Sequence, residues 1–280
     1  VNNNTINADV VNQGVFILQG GDTSGGDLNF ESTINGSLTN AQDATVRVTT
    51  GIDDHTTLRL TNSLTNAGLI ELTQFVTTNS GRSNRSTLIV DGGTLTNQAT
   101  GVIQSLAGAG TGGSHFLTAQ LDNQGTVQVD LDLTLNAADA DHNNTGTINV
   151  AGGNLKIDQS GDTPTFITNG DINISADRQL EVEEGTMTIS GGTTTVSGTL
   201  LMDQTTLTKT AGTLEGPGAM AFVSSTGDLT GDFDTGSLSL TLTNSQLDVS
   251  GTLTNSVDET LLLVNNNTIN ADVVNQGVFI

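Results

Sequence analysis

The stretch Leu64–Leu72 reads LTNAGLIEL and decides the fold class. Its apolar and polar residues alternate, which is typical of strands that turn one face inward. Asn66 and Gly68 stand at its centre. Asparagine bonds its own backbone or adopts a left-handed conformation, and glycine accepts a positive φ. The stretch therefore predicts a strand, a corner and a second strand.

The same phrase, Leu-x-Asn-x-Gly-x-Ile/Val, recurs along the chain. Close copies occupy residues 10–16 and 121–127, and looser copies begin at Leu95, His142 and Ile167. The intervals between successive asparagines are 31, 26, 21 and 25 residues, for Asn66, Asn97, Asn123, Asn144 and Asn169. Each interval is the length of one solenoid coil, and no segment keeps a 3.6-residue apolar period. The sequence therefore predicts an all-β solenoid of roughly ten to thirteen rungs with essentially no helix.

The polar residues of the phrase receive structural roles. We expect the glycines to adopt a positive φ at the corners, and we expect the asparagine amides of stacked coils to form a hydrogen-bonded ladder. His142 stands in the leucine position of its copy and is expected to cap the edge of a coil. The predicted turn positions are Asn66, Gly68, Asn97, Asn123, Gly125, Asn144 and Gly146.

The first seventeen residues, VNNNTINADVVNQGVFI, recur without a change as residues 264–280, at an offset of 263. An identity of this length indicates a tandem duplication. We therefore predict that residues 1–263 are one full repeat block, folded as a single continuous solenoid, and that residues 264–280 begin the next identical block. A joined array must keep its strand phase, so Ile280 is expected to stack onward as Ile17 does.

Composition limits the possible partners. The net charge of −23 argues against electrostatic binding to nucleic acid or to an anionic membrane, and favours affinity for divalent cations. The absence of cysteine excludes disulfides and thiol chemistry. A hydrophobic content of 34% with 3% aromatic residues is lean for a globular core, whereas 13% charged residues is low for a disordered chain. No stretch approaches the roughly 20 apolar residues of a membrane span. Backbone ladders and thin aliphatic strips are therefore expected to stabilise the fold.

The phrase resembles the repeats of filamentous haemagglutinin-like adhesins and autotransporter passengers. The segments LTNAGLIEL (64–72) and LDNQGTVQV (121–129) carry the resemblance. It implies a right-handed parallel β-helix that is secreted to a bacterial cell surface, and it transfers no catalytic residue. The long identical block is more similar to giant tandem-repeat bacterial surface proteins.

Clustered carboxylates suggest possible sites. Asp139, Asp141 and Asn143 match the first ligand positions of a calcium-binding loop. The sequence departs from that loop at two positions, where Asn144 stands in place of the glycine and Val150 in place of the terminal glutamate. Residues 20–28 resemble a single calcium-binding nonapeptide. The carboxylates considered as acid, base or calcium ligands of a carbohydrate-active β-helix are Asp53, Asp54, Asp130, Asp132, Asp139, Asp141, Asp228, Asp232 and Asp234.

The sequence favours a non-enzymatic, structural or adhesive segment of an extracellular fibre, with calcium as the one candidate cofactor. Its expected partners are neighbouring repeats of the same chain, laterally associated copies and surface glycans. Two alternatives stay open. One is a polysaccharide lyase or hydrolase built on a β-helix, and the other is a passive spacer for a tip domain.

Overall fold

The computed structural model describes residues 3–21, 28–51, 54–75, 84–109 and 113–280. All regular secondary structure in these ranges is β-strand, as the period-two alternation predicts. The strands are β1 Thr5–Ile6, β2 Val10–Asn12, β3 Val15–Gln19, β4 Leu28–Ile34, β5 Leu38–Asn40, β6 Thr45–Thr50, β7 Asp54–Leu60, β8 Leu64–Asn66, β9 Leu69–Gln74, β10 Arg85–Asn97, β11 Val102–Ser105, β12 Ser114–Asn123, β13 Thr126–Val129, β14 Leu133–Leu135, β15 Asp141–Asn144, β16 Thr147–Val150, β17 Leu155–Asp158, β18 Thr165–Thr168, β19 Asp171–Ile174, β20 Gln179–Glu183, β21 Thr186–Ile189, β22 Thr193–Val196, β23 Thr199–Asp203, β24 Thr206–Lys209, β25 Thr213–Glu215, β26 Ala219–Val223, β27 Thr226–Leu229, β28 Phe233–Asp234, β29 Ser239–Thr243, β30 Gln246–Asn255, β31 Thr260–Val264, β32 Thr268–Asn275 and β33 Val278–Phe279.

The chain forms two compact units, and both are parallel β-solenoids, with about ten turns in all. This number agrees with the predicted ten to thirteen rungs. The first unit comprises Val1–Ala137, Gly146–Ile148 and Gly152–Leu155, and the second comprises Ala138–Thr145, Asn149–Ala151 and Lys156–Ile280.

In the first unit each coil places its strands beside the equivalent strands of the next coil. One stack runs β1, β4, β7 and β10; a second runs β2, β5, β8, β10 and β12; a third runs β3, β6, β9, β11 and β13. The intervals between paired asparagines in the second stack are 28, 26, 31 and 26 residues. Loops between the strands absorb these differences, so strand pairing stays in register.

The second unit is more evenly spaced. Leu180, Leu200, Met220 and Leu240 are register partners in β20, β23, β26 and β29, at intervals of 20 residues. All four side chains are fully buried and form one inward row. Burying an aliphatic side chain of this size stabilises a fold by about 1.5–3 kcal/mol. A thin core of single rows therefore suffices when the backbone ladders supply the remaining contacts.

Candidate functional site

Buried asparagines form a ladder along the first unit. The side-chain amide of each donates to the side-chain oxygen of the asparagine in the next coil, at 2.7–2.8 Å. The predicted amide ladder is thus confirmed for Asn66, Asn97 and Asn123, and it also includes Asn12 and Asn40. The five residues are paired in strand register as Asn12, Asn40, Asn66, Asn97 and Asn123.

Each rung of this ladder also holds the backbone. The amide nitrogen of Asn66 donates to the carbonyl of Gly68 in its own bend at 3.1 Å, and to that of Val102 in the next coil at 3.2 Å. The side chain is fully buried, and its amide adds a second hydrogen bond to the Gly68 carbonyl, which also accepts the backbone N–H of Val102 at 2.8 Å. The asparagine therefore fixes a corner and joins two coils.

In the second unit Asn144 has a hydroxyl in place of an amide as its side-chain partner. Its amide donates to the hydroxyl of Thr168 at 3.0 Å, and Asn144 and Thr168 are register partners. The predicted partner, Asn169, lies one residue further on. A hydroxyl at this position continues the polar row with a shorter side chain.

Two asparagines that form the same amide contact do not match the phrase Leu-x-Asn-x-Gly-x-Ile/Val, because neither has a glycine two residues after it. Asn40 is followed by Ala-Gln-Asp and Asn255 by Ser-Val-Asp. The amide of Asn255 nonetheless donates to the side-chain oxygen of Asn275 at 2.7 Å. The shorter signal Leu-Thr-Asn, at residues 38–40, 64–66, 95–97 and 253–255, would have found both, although it also occurs outside the ladder at residues 60–62 and 242–244.

The glycines of the phrase lie in the bends between strands, but the predicted positive φ is wrong. Gly68, Gly125 and Gly146 are outside the left-handed region. Their common feature is a close approach to the preceding coil. A Cβ on Gly68 would stand 2.3 Å from the carbonyl oxygen of Ala44, and one on Gly125 would stand 2.2 Å from that of Gly101. Glycine is required here by space between coils.

The left-handed conformations belong instead to other polar residues and to other glycines. Asp139, Glu184 and Gln204 have φ values of 54°, 62° and 54°. These are turn residues between closely spaced strands of the second unit; the short side chain of Asp139 tolerates this conformation, whereas Glu184 and Gln204 adopt it with longer side chains.

The predicted calcium ligands lie at a coil corner in the second unit. Asp139 lies in the turn before β15; Asp141 and Asn143 are alternate residues of that strand and share one face. The carboxylate of Asp139 accepts the backbone N–H of Asp162 at 2.6 Å, and that of Asp141 accepts the hydroxyl of Thr165 at 2.8 Å. Both carboxylates therefore connect successive coils. Calcium binding by Asp139, Asp141 and Asn143 stays a prediction, because hydrogen bonds within the protein do not show whether an ion binds.

The use of aspartate as a connector is general in this chain. In each case a carboxylate oxygen accepts a backbone N–H from the following coil, at 2.6–2.9 Å. The pairs are Asp9 with Ser37, Asp132 with Asn154, Asp139 with Asp162, Asp171 with Thr193 and Asp232 with Thr252. Part of the acidic composition thus satisfies backbone donors at corners.

Two further proposed carboxylates, those of Asp130 and Asp234, accept hydrogen bonds from neighbouring residues. Asp130 accepts the side-chain amides of Gln104 and Gln128 at 2.8 and 2.7 Å. Asp234 accepts the Ser256 hydroxyl and the backbone N–H of Gly236, and these two hydrogen bonds lower the pKa of its carboxyl. Asp228 is a register partner of Asp248 in the next coil. Asp53 and the nonapeptide residues 22–27 lie outside the described residues.

Among the described residues, three metal-ligating groups come within reach of one another at one place. Carboxylate oxygens of Glu181, Glu183 and Asp203 lie within 4.8 Å of one another on the adjacent strands β20 and β23. Lys156 forms ion pairs with two of these carboxylates, and its Nζ lies 2.5 Å from Glu183 and 3.6 Å from Glu181. The hydrogen bond to Glu183 raises the pKa of the lysine. The sequence analysis missed this group because Asp203 is 20 residues from Glu183 and comes beside it only when β20 and β23 pair in register.

Two histidines are part of the core. His142 is buried and is the register partner of Phe166, so it points inward at the predicted leucine position and the predicted edge cap is wrong. His115 accepts the Ser86 N–H at its Nδ1, at 3.4 Å, and its Nε2 lies 3.2 Å from the carbonyl of Leu106. Burial lowers the pKa of each imidazole to about 4. Both rings are therefore neutral at physiological pH.

One cleft in the first unit has a volume of about 300 Å³. Its wall includes Arg47 and Glu71, whose side chains form an ion pair at 2.6 Å, together with Phe75. Glycosidases use two carboxylates that flank the bond to be cleaved. The described lining of this cleft has one, and it is neutralised by arginine.

No known protein-family model matches this chain. No curated protein matches it either, and no solved structure is similar. The described residues include no helix of the length and apolarity that a membrane crossing requires.

Proposed function

We propose that this chain is a structural and adhesive segment of an extracellular, tandem-repeat protein at a bacterial cell surface. The single observation that carries the proposal is the behaviour of the duplicated segment. The described residues of both copies, from Asn3 and from Val264 onward, belong to solenoid coils, and each copy pairs along a different edge. The segment thus has the properties of a joint between blocks.

The first copy pairs with the coil that follows it. Val10 pairs with Leu38, Asn12 with Asn40 and Phe16 with Val46. The second copy pairs with the coil that precedes it. There, Val273 pairs with Leu253, Asn275 with Asn255 and Phe279 with Leu261. One sequence is therefore compatible with a coil on either side, as a junction between consecutive blocks requires.

The buried ladder and the aspartate connectors support a mechanical role. The asparagine ladder satisfies buried polar groups between successive coils, and the aspartates satisfy backbone N–H groups at the exposed corners. The solvated acidic residues keep such a segment soluble, and divalent cations are the natural bridges between neighbouring copies. Neighbouring repeats, laterally associated copies and surface glycans are the partners that fit this role.

Immunogold electron microscopy of intact cells tests the location. An antibody raised against the 280-residue chain should label thin filaments outside the cell. Label confined to the cell interior would refute the proposal. Permeabilised cells provide the control that the antibody reaches its antigen.

Adhesion is tested separately with beads that carry the folded chain. Such beads should attach to glycan-coated surfaces more than beads that carry the heat-denatured chain. Equal attachment, with filaments still labelled, would assign the segment to a passive spacer and remove the adhesive part of the proposal.

A carbohydrate-active β-helix is the second candidate. Asp139 and Asp141, which lie close together in sequence at one corner, favour it. Turnover of an acidic polysaccharide that is lost in Asp139→Asn and Asp141→Asn, and retained in an Asp171→Asn control, would support this function. Absence of turnover with the folded parent chain would reject it.

A further inference from the structure

The corners that follow the buried asparagines of the first unit differ in length. Residues 41–44 and 98–101 form four-residue corners, whereas residues 67–68 form a two-residue corner. These corners lead from β5, β10 and β8 into β6, β11 and β9, and the strands that follow the corners pair in register. The two-residue corner is therefore recessed between a longer corner on each side.

This recess is a cavity of about 350 Å³, which we call the corner notch. The longer corners line it with Gln42, Asp43 and Thr100, and the short corner lines it with Ala67 and Gly68. The first residues of the following strands complete the lining. All of these residues belong to the first unit and lie outside the two identical segments. The volume is at the lower end of the range for small-molecule sites, which suits a ligand of one ring.

The corner notch is open because position 67 carries a small side chain. The equivalent position in other two-residue corners holds Gln13, Gln124 and Thr145. Gly68 leaves the space empty, since a Cβ there would stand 2.3 Å from the carbonyl oxygen of Ala44. A glutamine at position 67, as in the other copies of the phrase, would occupy the notch.

The polar groups of the corner notch can serve a ligand. Gln42 and Asp43 are exposed, and their side chains form no hydrogen bond within the part of the chain that the structure describes. Thr100 donates its hydroxyl to the Ala67 carbonyl at 2.8 Å, so its oxygen is left to accept a hydrogen bond. The carboxylate of Asp43 is also an acceptor. The notch therefore favours a ligand that supplies several hydrogen-bond donors.

The rest of the lining is apolar, with half-buried side chains of Ala67, Leu69 and Val102. An ammonium group would lose its hydration against this surface. An anion would face Asp43 and the net charge of −23. A pyranose ring is uncharged, has an apolar C–H face and carries hydroxyl donors around its rim, so its chemistry fits both parts of the notch.

We propose that the corner notch binds one uncharged hexopyranose unit of a glycan. The C–H face of the sugar packs against Ala67 and Leu69, and its hydroxyl groups donate to the carboxylate of Asp43. This inference rests on the adhesive part of the proposed function and gives that function a site.

A single notch should bind weakly, with a dissociation constant in the millimolar range, because a ligand of one ring has few atoms to contribute. Each identical block of a tandem array would carry one notch. Several notches that engage one glycan surface at the same time raise the overall affinity without any new contact. Weak single sites are therefore compatible with adhesion by the array.

Nuclear magnetic resonance of the isotope-labelled 280-residue chain tests the site. The probes are the methyl glycosides of glucose, galactose and mannose, each added up to about 50 mM, well above the expected dissociation constant. At least one of them should shift the amide signals of Ala67, Leu69 and Thr100 in a saturable manner. No shift at these amides with any of the three sugars would overturn the proposal.

Ala67→Gln closes the corner notch with a side chain that the chain already carries at the equivalent Gln13 and Gln124. We therefore expect the variant to fold, and its affinity for the sugar to fall at least about tenfold through loss of the space. Ala67→Ser is the matched control, because serine is small and should leave the affinity near the parent value. Unchanged affinity in a folded Ala67→Gln variant would show that the sugar binds elsewhere.

Asp43→Asn tests the polar contact. Both residue types tolerate the φ of 65° at this position, and a neutral amide accepts hydrogen bonds less strongly than a carboxylate. The affinity should fall about fivefold. Asp177→Asn is the control, since Asp177 has a similar φ of 61° and lies in the second unit. Equal affinities of the two variants would exclude the carboxylate as an acceptor and overturn this placement of the sugar.

Two further probes test the ligand class. Methyl glucuronoside, which is an anion, and N-acetyl-lysine amide, which is a cation, should both bind more weakly than the best neutral glycoside. Tighter binding of the lysine derivative would assign the notch to basic peptides and overturn the proposal.

Beads that carry Ala67→Gln separate the notch from adhesion in general. They should attach to glycan-coated surfaces less than beads that carry the parent chain. Equal attachment of both, above that of the denatured chain, would leave adhesion in place and reject the notch as its site. Sugar binding at the notch without attachment of parent beads would support the site and remove the adhesive part of the proposed function.

Discussion

At the scale of single residues, the buried amide of Asn66 is the clearest determinant of stability. It accepts from Asn40 and donates to Asn97 and to two backbone carbonyls. Asn66→Ala removes these hydrogen bonds from the interior of the solenoid, so the free energy of unfolding should fall by about 2–4 kcal/mol. Chemical denaturation followed by circular dichroism measures the change.

The control is an asparagine that makes an exposed contact of the same type. Asn173 donates to the side-chain oxygen of Asn149 at 3.0 Å, in contact with solvent. Asn173→Ala should cost less than about 0.5 kcal/mol. Comparable losses at the two positions would show that burial of the amide is not the determining factor.

Gly68 and Gly14 occupy the same position of the phrase but differ in their surroundings. A Cβ on Gly68 would meet two backbone oxygens at 2.3 and 2.4 Å, whereas one on Gly14 would meet nothing within 4 Å. Gly68→Ala should therefore destabilise the fold by at least about 2 kcal/mol, and Gly14→Ala should be nearly neutral. Thermal unfolding of the two variants provides the comparison.

The buried His142 predicts sensitivity to acid. Its pKa is lowered from 6.5 to about 4, chiefly by desolvation, so protonation favours the unfolded chain. Above pH 6.5 the ring is neutral in both the folded and the unfolded chain, so it does not reduce the free energy of unfolding. As the pH falls from 6.5 towards 4, the free energy of unfolding should fall by on the order of 3 kcal/mol. His142→Leu should reduce the fall in melting temperature over this range. An unchanged pH profile would show that His142 is accessible to protons in the folded state.

At the scale of elements, β20 and β23 bring three carboxylates together, and Lys156 pairs with two of them, Glu181 and Glu183. Lys156→Met removes the cation and leaves Glu181, Glu183 and Asp203 facing one another. The variant should lose about 1 kcal/mol at low salt, a modest value because the lysine side chain is 35% exposed. Calcium should restore this loss, because carboxylates are its preferred ligands.

Thermal shift of the variant and the parent with and without calcium measures the effect. Magnesium at the same ionic strength is the control for screening. Equal stabilisation of parent and variant by both ions would show that no specific site forms.

At the same scale, strand identity follows from local sequence and strand pairing does not. Alternation of apolar and polar residues is enough to mark β8, β9 and their equivalents. The pairing of Asn144 with Thr168, one residue before the expected Asn169, depends on the length of the connection between β15 and β18. A shift of one residue would turn every side chain to the opposite face, so packing decides it.

At the scale of the whole molecule, the duplicated segment predicts how the solenoid grows. A chain extended beyond Ile280 by a copy of residues 18–50 supplies the coil that pairs with the first copy. The amides equivalent to Val10 and Phe16, which are those of Val273 and Phe279, should then become about tenfold or more better protected from hydrogen exchange. Extension by a scrambled sequence of the same composition should leave their exchange rates unchanged.

The sequence by itself determined the all-β solenoid, its coil length, the absence of helix in the described residues and the asparagine ladder. These follow from a two-residue period and from a phrase that repeats along the chain, which are local properties. The tertiary structure decided which residues of successive coils lie next to each other. It showed that Gly68 is needed for close approach of backbones, that His142 is a core residue and that Asp203 joins Glu181 and Glu183. Loops of variable length set which residues lie above one another, and no local pattern contains that information.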